Sequence, residues 1–174
     1  MLFVGAGTTG TLMGCARWFS EHRPSVHIVA VDAVGSVSFG APPARRMIPG
    51  LGMGVRPPML DRSHVDDVVW VEEADTIRTC HRLARRGFLF GGSTGTAVSG
   101  ALDWLARHDA EGLTAVAIAP DLGERYLDTV YQRTWVQDLF GQHALRSEER
   151  AEVAPAVPEP RSPESPSPVL SALR

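Results

Sequence analysis

The feature that most constrains this fold is a glycine-rich turn that joins a short apolar stretch to a helical pattern, and that occurs twice. The first copy, GAGTTG at residues 5–10, follows the apolar residues 2–4, and the second, GGSTG at 91–95, follows 88–90. Glycines let the backbone approach an anion, while free amides and the positive end of the following helix hold it. These turns predict an α/β protein with a ligand site at the carboxyl ends of its strands.

Apolar runs and helical periodicities alternate along the chain. The stretch VHIVAV at 26–31 is continuous and β-branched, as expected for a strand buried on both faces. Further along, Gly87 is placed to end the helix that begins at residue 72. We predict strands at 2–4, 26–31, 68–71, 88–90 and 113–119, helices at 11–20, at 72–87 and, after the turn at 91–95, through Trp104 and Leu105, and a final amphipathic segment over 126–135. The alternation predicts an α/β fold, a mostly parallel sheet with flanking helices.

Two segments fall outside this alternation. Residues 35–58 are rich in Gly and Pro and are too long for a simple connection, which favours a functional loop. Residues 151–174 hold six of the 13 prolines among Ser and Glu, a composition typical of disorder. Because the residues just before them are polar, we predict a folded domain at 1–141 and a disordered Pro/Ser-rich tail at 142–174.

Composition excludes several classes of function. The 17 basic and 20 acidic residues give a net charge of −3, without the basic excess of nucleic-acid binding proteins. The apolar run 113–119 is far shorter than the roughly 18 residues of a membrane span, and no signal-peptide pattern opens the sequence. We therefore expect a cytoplasmic chain without nucleic-acid or membrane partners. The two cysteines are isolated and the six histidines lack ligand spacing, so no metal site is predicted.

The first glycine loop fits two kinds of ligand. Its G-x-G-x-x-G pattern, with Asp32 following Gly10 by 22 residues, is the dinucleotide fingerprint. Thr8, Thr9 and Thr11 add hydroxyl groups that suit one compact phosphate instead. A merely structural turn, with Asp32 as a strand terminus, is the third interpretation.

Three other side chains have two interpretations each. Ser93 either faces a ligand from the end of a strand or caps a helix. Arg45 and Arg46 either form an anion clamp or are a solvated pair at the surface. The residues alone leave these alternatives open.

Five blocks in chain order resemble the second half of cysteine synthase family proteins, which are fold-type II pyridoxal-phosphate enzymes with a tryptophan synthase β-like fold. They are GAGTTGTLMG, VHIVAVDAVGS, RRMIPGLG, FGGSTGTAVSG and PDLGERYLDTVY. The versions VDAVGSVSFG, GGSTG and YLDTVYQRTWVQDLF resemble the branch that makes N-(2-amino-2-carboxyethyl)-L-glutamate from O-phospho-L-serine and L-glutamate. That branch leads to 2,3-diaminopropionate, usually for siderophore biosynthesis. Cysteine synthases that use O-acetylserine are its nearest relatives.

The resemblance implies a pyridoxal 5'-phosphate cofactor and assigns roles by position. The residues implied to bind its phosphate are Gly7, Thr8, Thr9, Gly10 and Thr11. Those implied to lie near the amino-acid substrates are Gly50, Leu51 and Gly52. Ser93 is implied to bond the pyridine nitrogen, and a neutral hydroxyl there leaves the ring unprotonated, which suits β-elimination and replacement. Asp121 and Tyr126 are implied to support the pocket.

The same resemblance implies residues that this sequence does not contain. The lysine that binds the cofactor, and normally also moves the α-proton, lies in the first half of family members. All 17 basic residues here are arginine. We therefore expect an N-terminally truncated, C-terminal part of a synthase with no catalytic residue of its own, inactive without a missing N-terminal half or a homodimer partner. An NAD-binding domain and a non-catalytic interaction module with an exposed apolar surface are the alternatives from other classes.

Overall fold

A parallel four-stranded sheet with the order β3-β2-β1-β4 forms the centre of the described chain. A computed structural model describes residues 1–108 and 112–145. The strands are β1 (Leu2–Gly5), β2 (Ile28–Ala33), β3 (Asp67–Val71) and β4 (Val116–Ala117). The helices are α1 (Gly10–His22), α2 (Glu73–Arg85), α3 (Gly92–Arg107) and α4 (Arg133–Phe140), with short 3-10 helices at Arg62–His64, Gly123–Tyr126 and Gln142–Leu145. The predicted class, an α/β fold with a mostly parallel sheet and flanking helices, is confirmed.

Strand β2 is buried along its whole length because it is paired on both edges and covered on both faces. Its residues Ile28 and Ala30 join the apolar cluster of α1, while Val29 and Val31 pack with Trp104 of α3. This double burial explains the continuous apolar run, since both alternating sets of side chains need apolar partners. The strand begins and ends two residues later than predicted.

Gly87 ends α2 as predicted. The helix stops at Arg85, and Gly87 adopts a left-handed φ of 89°. Its amide donates to the carbonyl of Ala84, and the amide of Phe88 donates to the carbonyl of Leu83, both at 3.0 Å. These two bonds form a Schellman motif, which satisfies carbonyls that the helix end leaves open.

The predicted strand at 88–90 is wrong. In place of a sheet strand there is one antiparallel bridge between Phe90 and Leu122. The segment is the short turn between α2 and α3, which pack against each other, so it cannot reach the sheet. Phe88 and Leu89 consequently stay exposed, at 54% and 40%. The strand predicted at 113–119 pairs only over Val116–Ala117.

The chain remains folded through Gln142–Leu145, where a 3-10 helix packs against α2 and α4 and buries Ala144. The division at residue 141 stays a prediction, since 146–174, most of the predicted tail, lie outside the described residues. Among the helices of 1–108 and 112–145, none has the length and apolarity needed to cross a membrane.

Two glycines in helices should respond in opposite ways to alanine. A Cβ on Gly100 would lie 2.5 Å from Cγ1 of Val31, whereas a Cβ on Gly14 would have no atom within 4 Å. We expect Gly100→Ala to destabilise the chain by about 1–2 kcal/mol through overpacking, and Gly14→Ala to stabilise it by up to about 1 kcal/mol. Urea unfolding of both variants tests this, and equal effects would contradict the described packing of α3 on β2.

Candidate functional site

A cavity of about 240 Å³ lies where β1 ends, at the carboxyl edge of the sheet. Its lining residues come from four separate segments of the chain. They are Val4, Gly5, Gly7, Thr8, Thr9, Gly10, Thr11, Gly50, Leu51, Ser93, Ile118 and Pro120. The fold thus brings together all the residues singled out in the sequence for the cofactor and the substrate, except Gly52. Their roles remain predictions.

Thr9 is the most unusual residue of this cavity. It is the one non-glycine residue in the described chain with a left-handed backbone, at φ 68°, and its carbonyl accepts the first helical bond of α1, from Met13. Its hydroxyl is buried and has no hydrogen-bond partner within the described residues. An unsatisfied buried hydroxyl and a left-handed β-branched residue are both unfavourable, which points to a position kept for a ligand.

The first turn of α1 faces the same space. Gly10 and Thr11 line the cavity, and the first turn contains no acidic residue. The amides at a helix start have no acceptor within the helix and carry the positive end of its dipole. Together with the free hydroxyl of Thr9, they form a cradle that fits a phosphate group.

Residues 50–52 form another wall of the cavity, where the close approach of the backbone requires glycine. A Cβ on Gly7 would lie 2.9 Å from the carbonyl oxygen of Gly50, and a Cβ on Gly50 would lie 2.1 Å from Oγ of Ser93. Gly50 also has a φ of 109°. The amide of Gly52 donates to the carbonyl of Ala6 at 2.9 Å. Gly52 therefore does not line the cavity but ties its wall to the first glycine loop.

Asp121 closes the start of α3 from outside that helix. Gly91, at the N-cap, offers no side chain, and the carboxylate of Asp121 takes its place. It accepts the amide of Ser93 at 3.0 Å and that of Thr94 at 2.8 Å. It also accepts the hydroxyls of Thr94, at 2.8 Å, and of Tyr126, at 2.7 Å. Ser93 is thus not the helix cap. The capping role of Asp121 was not predicted from the sequence, where its one signal was the glycine at the N-cap position, which has no side chain to cap the helix.

Ser93 has a neutral hydroxyl, and the titratable groups next to it are Asp121 and Tyr126. Burial raises the pKa of Asp121, but the hydrogen bonds from Tyr126, Thr94 and the Ser93 amide outweigh it and hold that pKa below its ordinary value. Burial and the bond to Asp121 raise the pKa of Tyr126 to about 12. Tyr126 therefore keeps its proton and donates it to Asp121. Since no charged side chain lines the cavity in the described chain, a ligand there meets only a hydroxyl at Ser93.

The other residues singled out in the sequence lie away from this space. Asp32 is fully buried and does not line the cavity, so it has no geometry for a ribose hydroxyl. Arg46 donates to the carbonyl of Gly35, and Arg45 is exposed outside the cavity. The two arginines therefore form no clamp there. Ile118 and Pro120 line the cavity although they were not singled out; their signal was the end of a predicted strand.

Removing the charge of Asp121 should destabilise the chain and change how its free energy of unfolding depends on pH. We expect Asp121→Asn to lose about 1–3 kcal/mol at neutral pH, because two amides and two hydroxyls lose a charged acceptor. The pKa of Asp121 is lowered by folding, so its contribution is present above the unfolded pKa and fades as the pH falls through the folded one. The difference in the free energy of unfolding between Asp121→Asn and the wild type should therefore be smaller in acid than at neutral pH. Urea unfolding under these two conditions measures it.

Asp103→Asn is the matched control, since that carboxylate forms an exposed pair with Arg107. Exposed pairs contribute little, so its effect should be small. An equal loss in both variants would contradict the capping role of Asp121.

Thr9→Val should separate stability from ligand binding. Valine keeps the shape but removes the unsatisfied hydroxyl, so we expect the chain to gain up to about 1 kcal/mol. Its affinity for inorganic phosphate should fall about tenfold. Thr76→Val is the control, because the Thr76 hydroxyl pairs with Thr96 at 2.8 Å away from the cavity. That variant should lose stability and keep its phosphate affinity, as followed by thermal unfolding and equilibrium dialysis.

Comparisons with known proteins agree with this geometry. The family model for pyridoxal-phosphate dependent enzymes matches residues 1–121. N-(2-amino-2-carboxyethyl)-L-glutamate synthase of Ralstonia nicotianae is 42% identical over 144 residues, which are 83% of this chain and 43% of that protein. The solved structure of an O-ureido-L-serine synthase is 36% identical with a TM-score of 0.69, over 81% of this chain and 44% of that one.

A second solved structure is of the same kind. O-acetyl serine sulfhydrylase isoform 3 of Entamoeba histolytica is 29% identical with a TM-score of 0.71, over 75% of this chain and 40% of that one. The chain therefore spans less than half the length of each of these relatives. The predicted resemblance and the fold-type II architecture are confirmed, and so is the predicted cofactor class. The chain belongs to the family of pyridoxal-phosphate dependent enzymes.

Proposed function

We propose that this chain is the part of a pyridoxal-phosphate dependent synthase that holds the cofactor's phosphate and ring nitrogen during replacement at the β-carbon of a serine derivative. The observation that carries this is the cradle at the start of α1, with its unsatisfied Thr9 hydroxyl, facing the neutral Ser93 across one cavity. When bound, the cofactor supplies an electron sink for bonds at the substrate's α-carbon. The residues of the chain fit that group.

The phosphate would be held at one end of the cavity. Gly7 and Gly10 let the backbone come close, while Thr8, Thr9 and Thr11 offer hydroxyls. The hydroxyl of Thr9 has no hydrogen-bond partner among the described residues, so binding would satisfy it without breaking a bond. This end supplies orientation and affinity.

The ring nitrogen would be met by Ser93. Tyr126 donates its proton to Asp121, so it has no proton to offer Ser93. The hydroxyl of Ser93 carries one proton of its own, which it would donate to an unprotonated nitrogen. A carboxylate in this position would favour a protonated ring, whereas a hydroxyl suits β-elimination followed by addition of a nucleophile.

For the substrates we propose O-phospho-L-serine and L-glutamate, with N-(2-amino-2-carboxyethyl)-L-glutamate as the product and 2,3-diaminopropionate, for siderophores, as its destination. The name and 42% identity of the Ralstonia relative support this choice. The alternative is a cysteine synthase that uses O-acetylserine, supported by the likeness to the sulfhydrylase structure at 29% identity. In both cases Gly50 and Leu51 would border the substrate.

The chain has no lysine, so the amine that binds the cofactor must come from another polypeptide segment. The surface offers a place for one. Val116 is 51% exposed on the two-residue edge strand β4, and Leu89 and Leu122 are 40% and 60% exposed on the two segments that the Phe90–Leu122 bridge joins. Open edges and apolar surfaces of this kind favour association. We therefore propose that the chain works with a lysine-bearing amino-terminal half and has no turnover without it.

The test is a comparison of the purified chain with and without that half, taken from the Ralstonia relative as the segment before the matched region. Alone, the chain should retain pyridoxal phosphate on dialysis only weakly and make no product from any donor. Co-expressed with the half, it should release phosphate from O-phospho-L-serine and form the glutamate adduct, identified by mass spectrometry. Product from O-acetylserine and sulfide instead would select the cysteine synthase alternative, and turnover by the chain alone would refute the need for a partner.

A further inference from the structure

Glu73 is a carboxylate at the start of α2 whose hydrogen bonds leave its own helix. Its Oε1 accepts the amide of Met47 at 2.7 Å and that of Ile48 at 2.6 Å. Bonds from an amide to a carboxylate are stronger than those to a neutral acceptor. An acidic residue in the first turn of a helix ordinarily interacts with the helix dipole, and that interaction requires no distant amide. The two bonds therefore call for a separate explanation.

Residues 47–48 lead directly into the wall at 50–52. Pro49 alone separates Ile48 from Gly50. Gly50 and the residue after it line the cavity. The proline ring fixes its own φ and restricts the residue before it to extended backbone. Once the amide of Ile48 is held, few backbone torsions remain free before the wall begins.

The far end of this wall has anchors of its own. The amide of Gly52 donates to the carbonyl of Ala6 at 2.9 Å. The amide of Met53 donates to Oγ of Ser36 at 3.0 Å. The bonds to Glu73 are thus the matching anchor at the near end, where the chain enters the wall.

The side chain of Ile48 contacts the start of α3. It is buried, in one apolar cluster with Ile77 and Tyr126. A Cβ on Gly92 would lie 2.4 Å from its Cγ2, so the two backbones are held at close range. Since Gly92 directly precedes Ser93, the position of Ile48 bears on the hydroxyl proposed to meet the ring nitrogen.

Helix α2, which carries Glu73, is closely packed on α3, which carries Ser93. A Cβ on Gly95 of α3 would lie 2.3 Å from Sγ of Cys80 and 3.0 Å from the carbonyl oxygen of Thr76, both in α2. Packing this close leaves little freedom for one helix to shift on the other. Glu73 therefore ties the wall to the same pair of helices that holds Ser93.

We propose that Glu73 is a positioning residue for the cavity: by accepting the amides of residues 47–48 it sets the distance between the wall at Gly50 and the hydroxyl of Ser93. The identity of the ligand rests on the proposed function, whereas the positioning concerns the chain alone. Glu73 should therefore govern contacts to the ring of a ligand, and should have little effect on contacts to its phosphate at the start of α1.

Two variants of Glu73 separate its reach from its charge. Glu73→Gln keeps an oxygen at the same distance but removes the charge, whereas Glu73→Asp keeps the charge but is one methylene shorter. Asp75→Asn is the matched control, because Asp75 lies in the same first turn and pairs with Arg78 instead. An effect of charge on the helix dipole would be common to Glu73→Gln and Asp75→Asn. Positioning of the wall would be lost mainly in Glu73→Asp.

The first experiment follows amide hydrogen exchange in the purified chain, residue by residue, without any ligand. The informative amide is that of Gly52, which bonds Ala6 and not Glu73 and therefore reports on the wall itself. We expect it to exchange about tenfold faster in Glu73→Asp and at most about twofold faster in Glu73→Gln. Asp75→Asn should leave it unchanged. Unchanged Gly52 exchange in Glu73→Asp, or an equal rise in Asp75→Asn, would overturn the proposal.

The second experiment measures affinity for two probes by equilibrium dialysis. Inorganic phosphate tests the cradle, and pyridoxine 5'-phosphate adds the ring of the cofactor without an aldehyde that could react with an amine. Glu73→Asp should weaken binding of pyridoxine 5'-phosphate about five- to tenfold and that of inorganic phosphate less than about twofold. Glu73→Gln should bind both probes nearly as the wild type does.

Two results would overturn the proposal. Equal weakening of both probes in Glu73→Asp would show general damage to the fold. Weaker binding of pyridoxine 5'-phosphate in Glu73→Gln but not in Glu73→Asp would show that charge matters and reach does not. Should the wild-type chain fail to bind pyridoxine 5'-phosphate, the proposed function would be refuted, and the exchange experiment would still decide whether Glu73 positions the wall.

Discussion

The close approach of three backbone segments is the constraint on which the rest of the structure depends. The first glycine loop, the wall at 50–52 and the start of α3 come so close that neither Gly7 nor Gly50 has room for a Cβ. Since such contacts leave little slack, each segment needs its own anchor. The anchors are the sheet for β1, Ser36 for the wall and the carboxylate of Asp121 for α3.

Two side-chain polar atoms in the described chain are buried without a partner, and one of them, the Thr9 hydroxyl, lines the cavity. The other, Oδ2 of Asp32, does not line it. An unsatisfied group costs stability, so the place of the Thr9 hydroxyl fits a site that is arranged for a ligand. By contrast, the buried hydroxyls of Thr76 and Thr96 pair with each other, as is normal in a core.

Sequence patterns predicted some features and missed others for identifiable reasons. The continuous apolar run predicted β2, and Gly87 predicted the end of α2, because both signals depend on local burial and local backbone geometry. The same reasoning failed at 88–90, where an apolar triplet is a turn between two packed helices. Three apolar residues fit a strand or a turn equally well, and only the packing of α2 on α3 decides between them.

The sequence by itself determined the fold class, the glycines and threonines of the first loop, the neutral residue at position 93 and the absence of lysine. These follow from residue identity: glycines permit close backbone approach, hydroxyls offer neutral donors, and no other side chain replaces an amine that must bind the cofactor. Tertiary structure alone decided that Asp121 caps α3, that Asp32 is buried away from the cavity, and that Gly52 supports the wall without lining it. Each of these depends on which atoms lie within about 3 Å across distant parts of the chain, and hydrogen bonds at that range leave no periodic signal in the sequence.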